Sequence, residues 1–443
     1  MTERPNFDDY FDAIVVGAGL AGSAAALTMA QQDLEVLLIE RGNYPGAKNV
    51  FGGTMYTPRI RELTGEGFED APVERHLGTK RFGLLSTEDE TAMSIKPGQW
   101  QESPHNDTYT VLRGNFDEWF ADQAIEAGAT LITETTVTDL VREGESIVGV
   151  ETDRPDGTIH APMVVLAEGG NSLVSEAADL KETDPPEKVA IGVKEVRKYD
   201  RETIEERFGL GEDDGAAYHY FGEGACGGGV GGGFIYTNKR TLAIGVAYTI
   251  SDAIEDDRKP DELLSDFKEH PAVAPLVKGG RVVEYSAKSI PEGGASSVPE
   301  LAHDGAVIIG DAASLLLNNG IHLEGTNMAV ESGYLAGNAI VEAIHAGRTD
   351  AAALQSYPEE LESSYVMENL QNYDWFSDFA HDEKQFLFQQ LPKALTEAEL
   401  EFFKQDYEPK ETHAKRAKNM LLRAAGGWTG AAKKAWKYRK LLS

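Results

Sequence analysis

The sequence predicts an α/β protein: a nucleotide-binding domain of strands and helices, an inserted and mostly antiparallel α+β domain, and a helical C-terminal region. Three observations carry this expectation. An apolar run at residues 12–16 leads through Gly17-Ala18-Gly19-Leu20-Ala21-Gly22 into an alanine-rich stretch at 23–31, and a second apolar run at 34–39 ends in Glu40. Much later, another apolar run at 305–309 ends in Gly310-Asp311 and precedes a long helical pattern at 325–344. Between about 175 and 300 the texture changes to alternating runs such as 188–196 and 241–248, the period of half-buried strands.

The first observation is a strand, tight turn, helix and strand of the Rossmann type. Gly17 permits the turn, Gly19 lets the backbone approach a pyrophosphate, and Gly22 lets helix and strand pack closely. The helix N-terminus offers unpaired N–H groups and a positive dipole end to phosphate. Glu40, at the end of the second strand, can accept hydrogen bonds from a ribose. The connection 43–56 is rich in small residues, as a loop passing close to a flat ring system would be.

Farther on, Arg113 opens a helical pattern at 116–127, where a guanidinium can pair with a phosphate. The runs 130–132, 137–141 and 147–150 read as a meander, and 163–167 as a buried strand ending at Glu168-Gly169-Gly170. The glycine cluster 222–233 suits either a flexible loop or a close backbone approach to a ligand. Asp311 can bond the hydroxyls of a ribityl chain, and the helix that starts after Gly325 can turn its positive end to an electron-rich ring. Two separated motifs require a long ligand, which favours FAD over NAD. The expected divisions are 1–175 with 301–347 for the FAD-binding domain, 176–300 for the inserted substrate domain, and 348–443 for the helical region.

Composition narrows the function further. The 443 residues hold 74 acidic and 41 basic side chains, a net charge of −33, so general binding to nucleic-acid phosphates is disfavoured. So large an excess, spread over the body, fits a cytosol of high ionic strength, where screening shortens repulsion to about 3 Å at 1 M salt. From residue 413 on, the tail runs the other way, with nine Lys or Arg and no acid. Its Trp428, Trp436 and Tyr438 beside basic residues suit an anionic membrane surface, an acidic partner, or the protein's own acidic body. The first twelve residues lack the apolar run of a secretory signal, and no run is long enough to span a bilayer. The expected location is cytoplasmic, or peripheral on the cytoplasmic membrane face. Cys226 is the only cysteine, whereas a thiolate-held metal or iron–sulfur site takes about four.

The segments Ile39-Glu40-Arg41-Gly42-Asn43-Tyr44-Pro45-Gly46-Ala47-Lys48-Asn49, Gly231-Gly232-Gly233-Phe234-Ile235-Tyr236-Thr237-Asn238, Ser289-Ile290-Pro291-Glu292-Gly293-Gly294 and Gly310-Asp311-Ala312-Ala313 resemble the FixC family of flavoproteins. That family is similar to electron-transfer-flavoprotein:quinone oxidoreductase. The resemblance implies a glutathione-reductase-like FAD domain, electron input from FixA- and FixB-like electron-transfer-flavoprotein subunits, a quinone acceptor, and a separate ferredoxin-like FixX subunit that brings the cluster the single cysteine cannot hold. It assigns Gly17, Gly19, Gly22, Glu40, Arg41, Arg113 and Asp311 to FAD, with Val137 touching adenine through its backbone. Lys48 and Asn49 are expected near the isoalloxazine, where a cation would stabilise reduced flavin. No side chain is assigned as catalytic, because the flavin does the chemistry, and no metal ligand is assigned. Two departures stand out: Glu168-Gly169 where related flavoproteins have Asp-Gly, and Glu324-Gly325 where FixC-like proteins have Arg-Gly. The alternatives are a flavin-dependent geranylgeranyl (prenyl-lipid) reductase, a flavin hydroxylase, or a non-catalytic flavin relay.

Overall fold

Residues 11–49, 53–101 and 106–439 are described in a computed structural model of the chain. Part of the small-residue connection after Asn49, and Leu441-Leu442 of the tail, lie outside the described residues. The chain forms two compact units, residues 1–77, 101–190 and 286–377 in the first, and 78–100, 191–285 and 378–443 in the second.

The first unit is organised by β1 (Ala13–Val16), α1 (Leu20–Ala30), β2 (Val36–Ile39), α2 (Arg113–Glu126), β3 (Thr130–Ile132), β4 (Met163–Leu166), β5 (Ala302–His303), β6 (Ala306–Ile308) and α3 (Thr326–His345). The sheet order is β5-β6-β4-β1-β2-β3, parallel throughout except for the edge strand β5. Strands β1, β2 and β4 are buried along their whole length. They therefore read as unbroken apolar runs rather than alternations, as strands covered on both faces do. The meander is present as Val137–Glu143, Ser146–Thr152 and Thr158–His160, with the second strand in the middle.

Helices α1 and α3 pack against each other through small residues. A Cβ on Gly333 would lie 2.2 Å from the carbonyl oxygen of Ala21 and one on Gly337 would lie 2.9 Å from Thr28, so the two backbones nearly touch. This packing fixes α1 under the glycine turn and α3 behind Gly325.

The second unit contains an antiparallel sheet in which Asp214–Phe221, Gly231–Thr237 and Thr241–Thr249 are neighbours, as the alternating texture predicts. The glycine cluster is packed, not loose. Cβ atoms on Gly229 and Gly233 would lie 2.4 and 2.6 Å from the rings of Tyr248 and Phe267, and one on Gly231 would meet the Ala247 carbonyl oxygen at 2.2 Å. The close approach that glycine permits there is to the protein's own aromatic rings and backbone.

The C-terminal region is helical but shared between the units. Tyr357, Leu361, Val366 and Leu370 join the core of the first unit, where the Tyr357 hydroxyl donates to the Ile308 carbonyl at 2.9 Å. Helices Leu391–Phe403, Lys410–Ala424 and Gly427–Tyr438 belong to the second unit, together with the segment 78–100. The units thus differ from the sequence-derived divisions at 78–100, 176–190, 286–300 and 348–377. Burial of an apolar helix face, invisible in local sequence, decides the last of these.

Candidate functional site

The C-terminal ends of β1, β2, β4 and β6 all open on one edge of the first unit's sheet, because the strands are parallel. That edge is where an α/β sheet binds its ligand. It gathers Gly17, Glu40, Glu168 and Asp311, which lie up to 294 positions apart in sequence.

The glycine turn is shaped by contact on two sides and open on the third. Gly17 has φ +106°, and a Cβ on it would lie 2.5 Å from the Ala167 carbonyl oxygen; a Cβ on Gly22 would lie 1.9 Å from that of Gly17. Gly19, at the N-cap of α1, would have nothing within 4 Å of its Cβ. This vacant side at a helix N-terminus fits a pyrophosphate.

Glu40 is buried and holds the turn in place. Its Oε2 accepts the Ala18 N–H at 3.1 Å and its Oε1 the Gly42 N–H at 2.6 Å. Each carboxylate oxygen has a further lone pair for a ribose hydroxyl. Residues 133–136 pass alongside, since the Thr135 N–H donates to the Glu40 carbonyl at 3.1 Å and the Glu134 N–H to that of Gly42 at 2.8 Å. Val137, just beyond, is buried at the start of its strand and so stands near the Glu40 end of the site. Arg41 is exposed.

At the other end, the Asp311 carboxylate comes within 3.7 Å of a Cβ position on Gly325, the N-cap of α3. A carboxylate and a helix N-terminus are thereby side by side. The residues at both ends fit FAD.

Arg113, Glu168 and Glu324 all have partners within the protein. Arg113 is buried and donates to both oxygens of Asp117, one turn along α2, at 2.6 and 2.8 Å. Its charge is therefore met within the protein before any phosphate arrives. Asn49 donates to the same carboxylate at 3.1 Å, while its neighbour Lys48 is exposed. Glu168 is turned onto the short helix Leu173–Ala177. It accepts the Val174 and Ser175 N–H groups at 2.8 Å each and also the Ser175 hydroxyl. Its charge is spent on a helix N-terminus, so the longer Glu in place of Asp is a cap rather than a free acid. Glu324 accepts Asn327 Nδ2 at 3.2 Å and faces His322 Nδ1 at 2.9 Å. It also holds the Tyr56 hydroxyl, whose pKa rises through burial and then through this carboxylate.

One residue was missed in the sequence. The Lys288 ammonium donates to Asn49 Oδ1 at 3.4 Å and lies 3.7 Å from Asp311 Oδ2. No cofactor motif marks it, because it sits in the strand Arg281–Pro291, outside both the glycine turn and the Gly310-Asp311 turn.

In the second unit, His413 is buried with both ring nitrogens 2.9 Å from carboxylates, Glu401 and Asp406. Both nitrogens must donate, so the ring is cationic, and the Glu401 and Asp406 bonds raise its pKa. This ion cluster joins the helices Leu391–Phe403 and Lys410–Ala424. Other cations of the tail turn back onto the body: Lys434 and Lys437 reach Glu383 at 2.7 and 2.8 Å, holding its carboxyl low, at about 2, against its burial. Among the described residues, no helix is long and apolar enough to cross a membrane.

Comparison with known proteins adds independent findings. Residues 12–180 match the model of FAD dependent oxidoreductases, and 376–442 match the ETF-QO/FixC family C-terminal domain. The chain is 41% identical over 436 residues to Protein FixC of Azorhizobium caulinodans, covering 98% of this chain and 99% of that one. It is 37% identical over 404 residues to the probable electron transfer flavoprotein-quinone oxidoreductase YdiS of Escherichia coli, covering 91% and 93%. A geranylgeranyl bacteriochlorophyll reductase-like protein of Thermoplasma acidophilum shares the fold, with TM-score 0.69, 18% identity, and coverage of 98% and 97%.

Proposed function

Because the chain belongs to the ETF-QO/FixC family of FAD-dependent oxidoreductases, we propose that it takes electrons from an electron-transfer flavoprotein with FixA- and FixB-like subunits and passes them to a quinone. The observation that supports this reading most is the likeness to YdiS along nearly the whole chain. FAD supplies the electron chemistry when bound. Around it, Gly19 leaves room for the pyrophosphate while Gly17 and Gly22 let the turn and α1 pack closely beneath it, Glu40 binds the adenosine ribose with the backbone at Val137 beside the adenine, and Asp311 with the helix at Gly325 holds the ribityl and ring end.

A separate ferredoxin-like, FixX-type subunit completes the electron path. Cys226 is buried, its thiol pushed up to about 12 by desolvation, which makes it a poor nucleophile at neutral pH, and a single cysteine falls short of the four or so thiolates that hold an iron–sulfur cluster. The C-terminal helices support peripheral contact with an anionic membrane on the cytoplasmic side. Trp428 and Trp436 are 69% exposed, with Lys418 and Arg439 over their rings at 4.9 and 3.6 Å. Apolar bodies with cationic rims suit the headgroup layer. Co-sedimentation with vesicles of anionic and of neutral lipid tests this: Trp428→Ala with Trp436→Ala should abolish recovery on the anionic vesicles, and unchanged recovery rejects the contact. The acidic body fits concentrated salt; a melting temperature that does not rise with KCl rejects that reading.

The electron-transfer reading is tested by reducing the bound FAD anaerobically and adding acceptors. Reoxidation by a quinone supports it. Double-bond reduction in a prenylated lipid would favour the geranylgeranyl reductase reading instead, and reoxidation by neither would leave a relay role.

A further inference from the structure

The FAD site of the first unit contains one cation that neither cofactor motif announces. The Lys288 side chain is 26% exposed, and its ammonium lies 3.4 Å from Asn49 Oδ1 and 3.7 Å from Asp311 Oδ2. It is also 3.7 Å from a Cβ position on Gly169, which has φ +79°. These three neighbours come from three different strand ends: the connection after β2, the turn after β4 and the turn after β6. Lys288 therefore stands at the crossing point of the sheet edge, on the Asp311 side and away from Glu40.

The other charges there are already committed. Glu168 caps a helix, Glu324 is bonded to Asn327 and held by Tyr56, and Arg113 is paired with Asp117. Lys48 is exposed. Lys288 alone among these is a cation whose nearest carboxylate is Asp311, at a separation looser than a hydrogen bond. A ring that gains negative charge on reduction is stabilised by a nearby positive charge, beyond what a helix N-terminus supplies, all the more in a chain of net charge −33. The interaction is stronger in a partly buried site than in water.

We propose that Lys288, not Lys48, is the cation of the flavin site: a positioning residue that orients Asp311 and Asn49 and favours the reduced, negatively charged ring. The inference rests on the placement of FAD at this sheet edge. Two electrons from the electron-transfer flavoprotein and one proton from solvent would leave the ring with one negative charge, and the Lys288 ammonium exchanges no atom in that step. Lys288 thus raises the flavin potential without taking part in bond making.

The test compares Lys288→Met, Lys288→Arg and Lys48→Met holoprotein by midpoint potential and by affinity for sulfite, whose ring adduct also carries negative charge. Lys288→Met should shift the potential to a more negative value and weaken sulfite binding on the order of tenfold, while Lys288→Arg and Lys48→Met stay near the parent. A parent-like potential and sulfite affinity in Lys288→Met overturns the proposal. If that variant does not retain FAD, Lys288→Gln against Lys288→Arg decides, and equal potentials overturn it. Failure of the underlying placement looks different: Glu40→Ala and Asp311→Ala would then keep full FAD content.

Discussion

The Glu40 carboxylate accepts the backbone N–H of Ala18 at 3.1 Å, tying the end of the second strand to the middle of the glycine turn. The acid proposed for the ribose thus also sets the shape of the loop proposed for the pyrophosphate. One side chain couples two parts of the binding site. Replacing it should hurt more than the loss of a single ribose contact.

Glu40→Ala removes two bonds to a charged acceptor, each worth about 1.5–3 kcal/mol. FAD affinity should fall by at least about tenfold, read by titrating the apoprotein and following flavin fluorescence. Glu40→Gln keeps acceptor geometry on one oxygen and should lose less. Equal affinity in parent and Glu40→Ala would contradict the placement.

Glu168→Ala leaves the N–H groups of Val174 and Ser175 without their acceptor. A lost cap costs about 0.5–2 kcal/mol, so the melting temperature should drop by a few degrees, roughly 2–4 °C. The flavin potential should not change, because this charge is already met by the helix. A potential that moves with little loss of stability would mean that the acid acts on the flavin instead.

Gly333→Ala drives a methyl group against the Ala21 carbonyl oxygen, where a Cβ would sit at 2.2 Å. Overpacking costs about 1–3 kcal/mol, and the rigid neighbour is backbone, so the upper end is expected. Denaturant unfolding should show a lower midpoint, together with weaker FAD retention as α1 is pushed from beneath the glycine turn.

Burial pushes the Glu292 carboxyl up to about 7 from its usual 4.5, against a lowering hydrogen bond from Asn318. It borders a small cavity with Leu316, Leu370, Tyr373 and Asp374. A folded-state pKa above the unfolded one means that the folded protein binds more protons in this interval. The stability it confers is full below 4.5 and is lost as pH rises through about 7. Glu292→Gln should flatten this part of the stability–pH curve, with a gain of about 1–3 °C above neutrality. Melting curves across that interval check it, and parallel curves for parent and variant would contradict it.

Local pattern carried much of this site, for a physical reason. Gly17, Gly19, Gly22 and Glu40 form one continuous strand–turn–helix–strand unit, so their spacing already contains their geometry. Asp311 and Gly325 were legible because a strand end and a helix start bracket them. The pairing of Arg113 with Asp117 lies one helical turn apart and could have been read as an (i, i+4) pair, but burial, which decides its strength, is tertiary. Lys288 was illegible because its neighbours Asn49, Gly169 and Asp311 are brought together only by the sheet order. The packed glycines at 229–233 show the same limit, since their aromatic partners Tyr248 and Phe267 lie outside the cluster.

The central claim is that FAD on this sheet edge links an electron-transfer flavoprotein to a quinone. Its most direct measurement is anaerobic rapid mixing of the FAD-loaded chain with a reduced two-subunit electron-transfer flavoprotein, followed by a second mix with quinone and with the ferredoxin-like subunit present. The account predicts bleaching of this chain's flavin in the first mix and its return in the second, in proportion to quinone reduced. A flavin that stays oxidised in the first mix, or stays reduced after quinone is added, would contradict it.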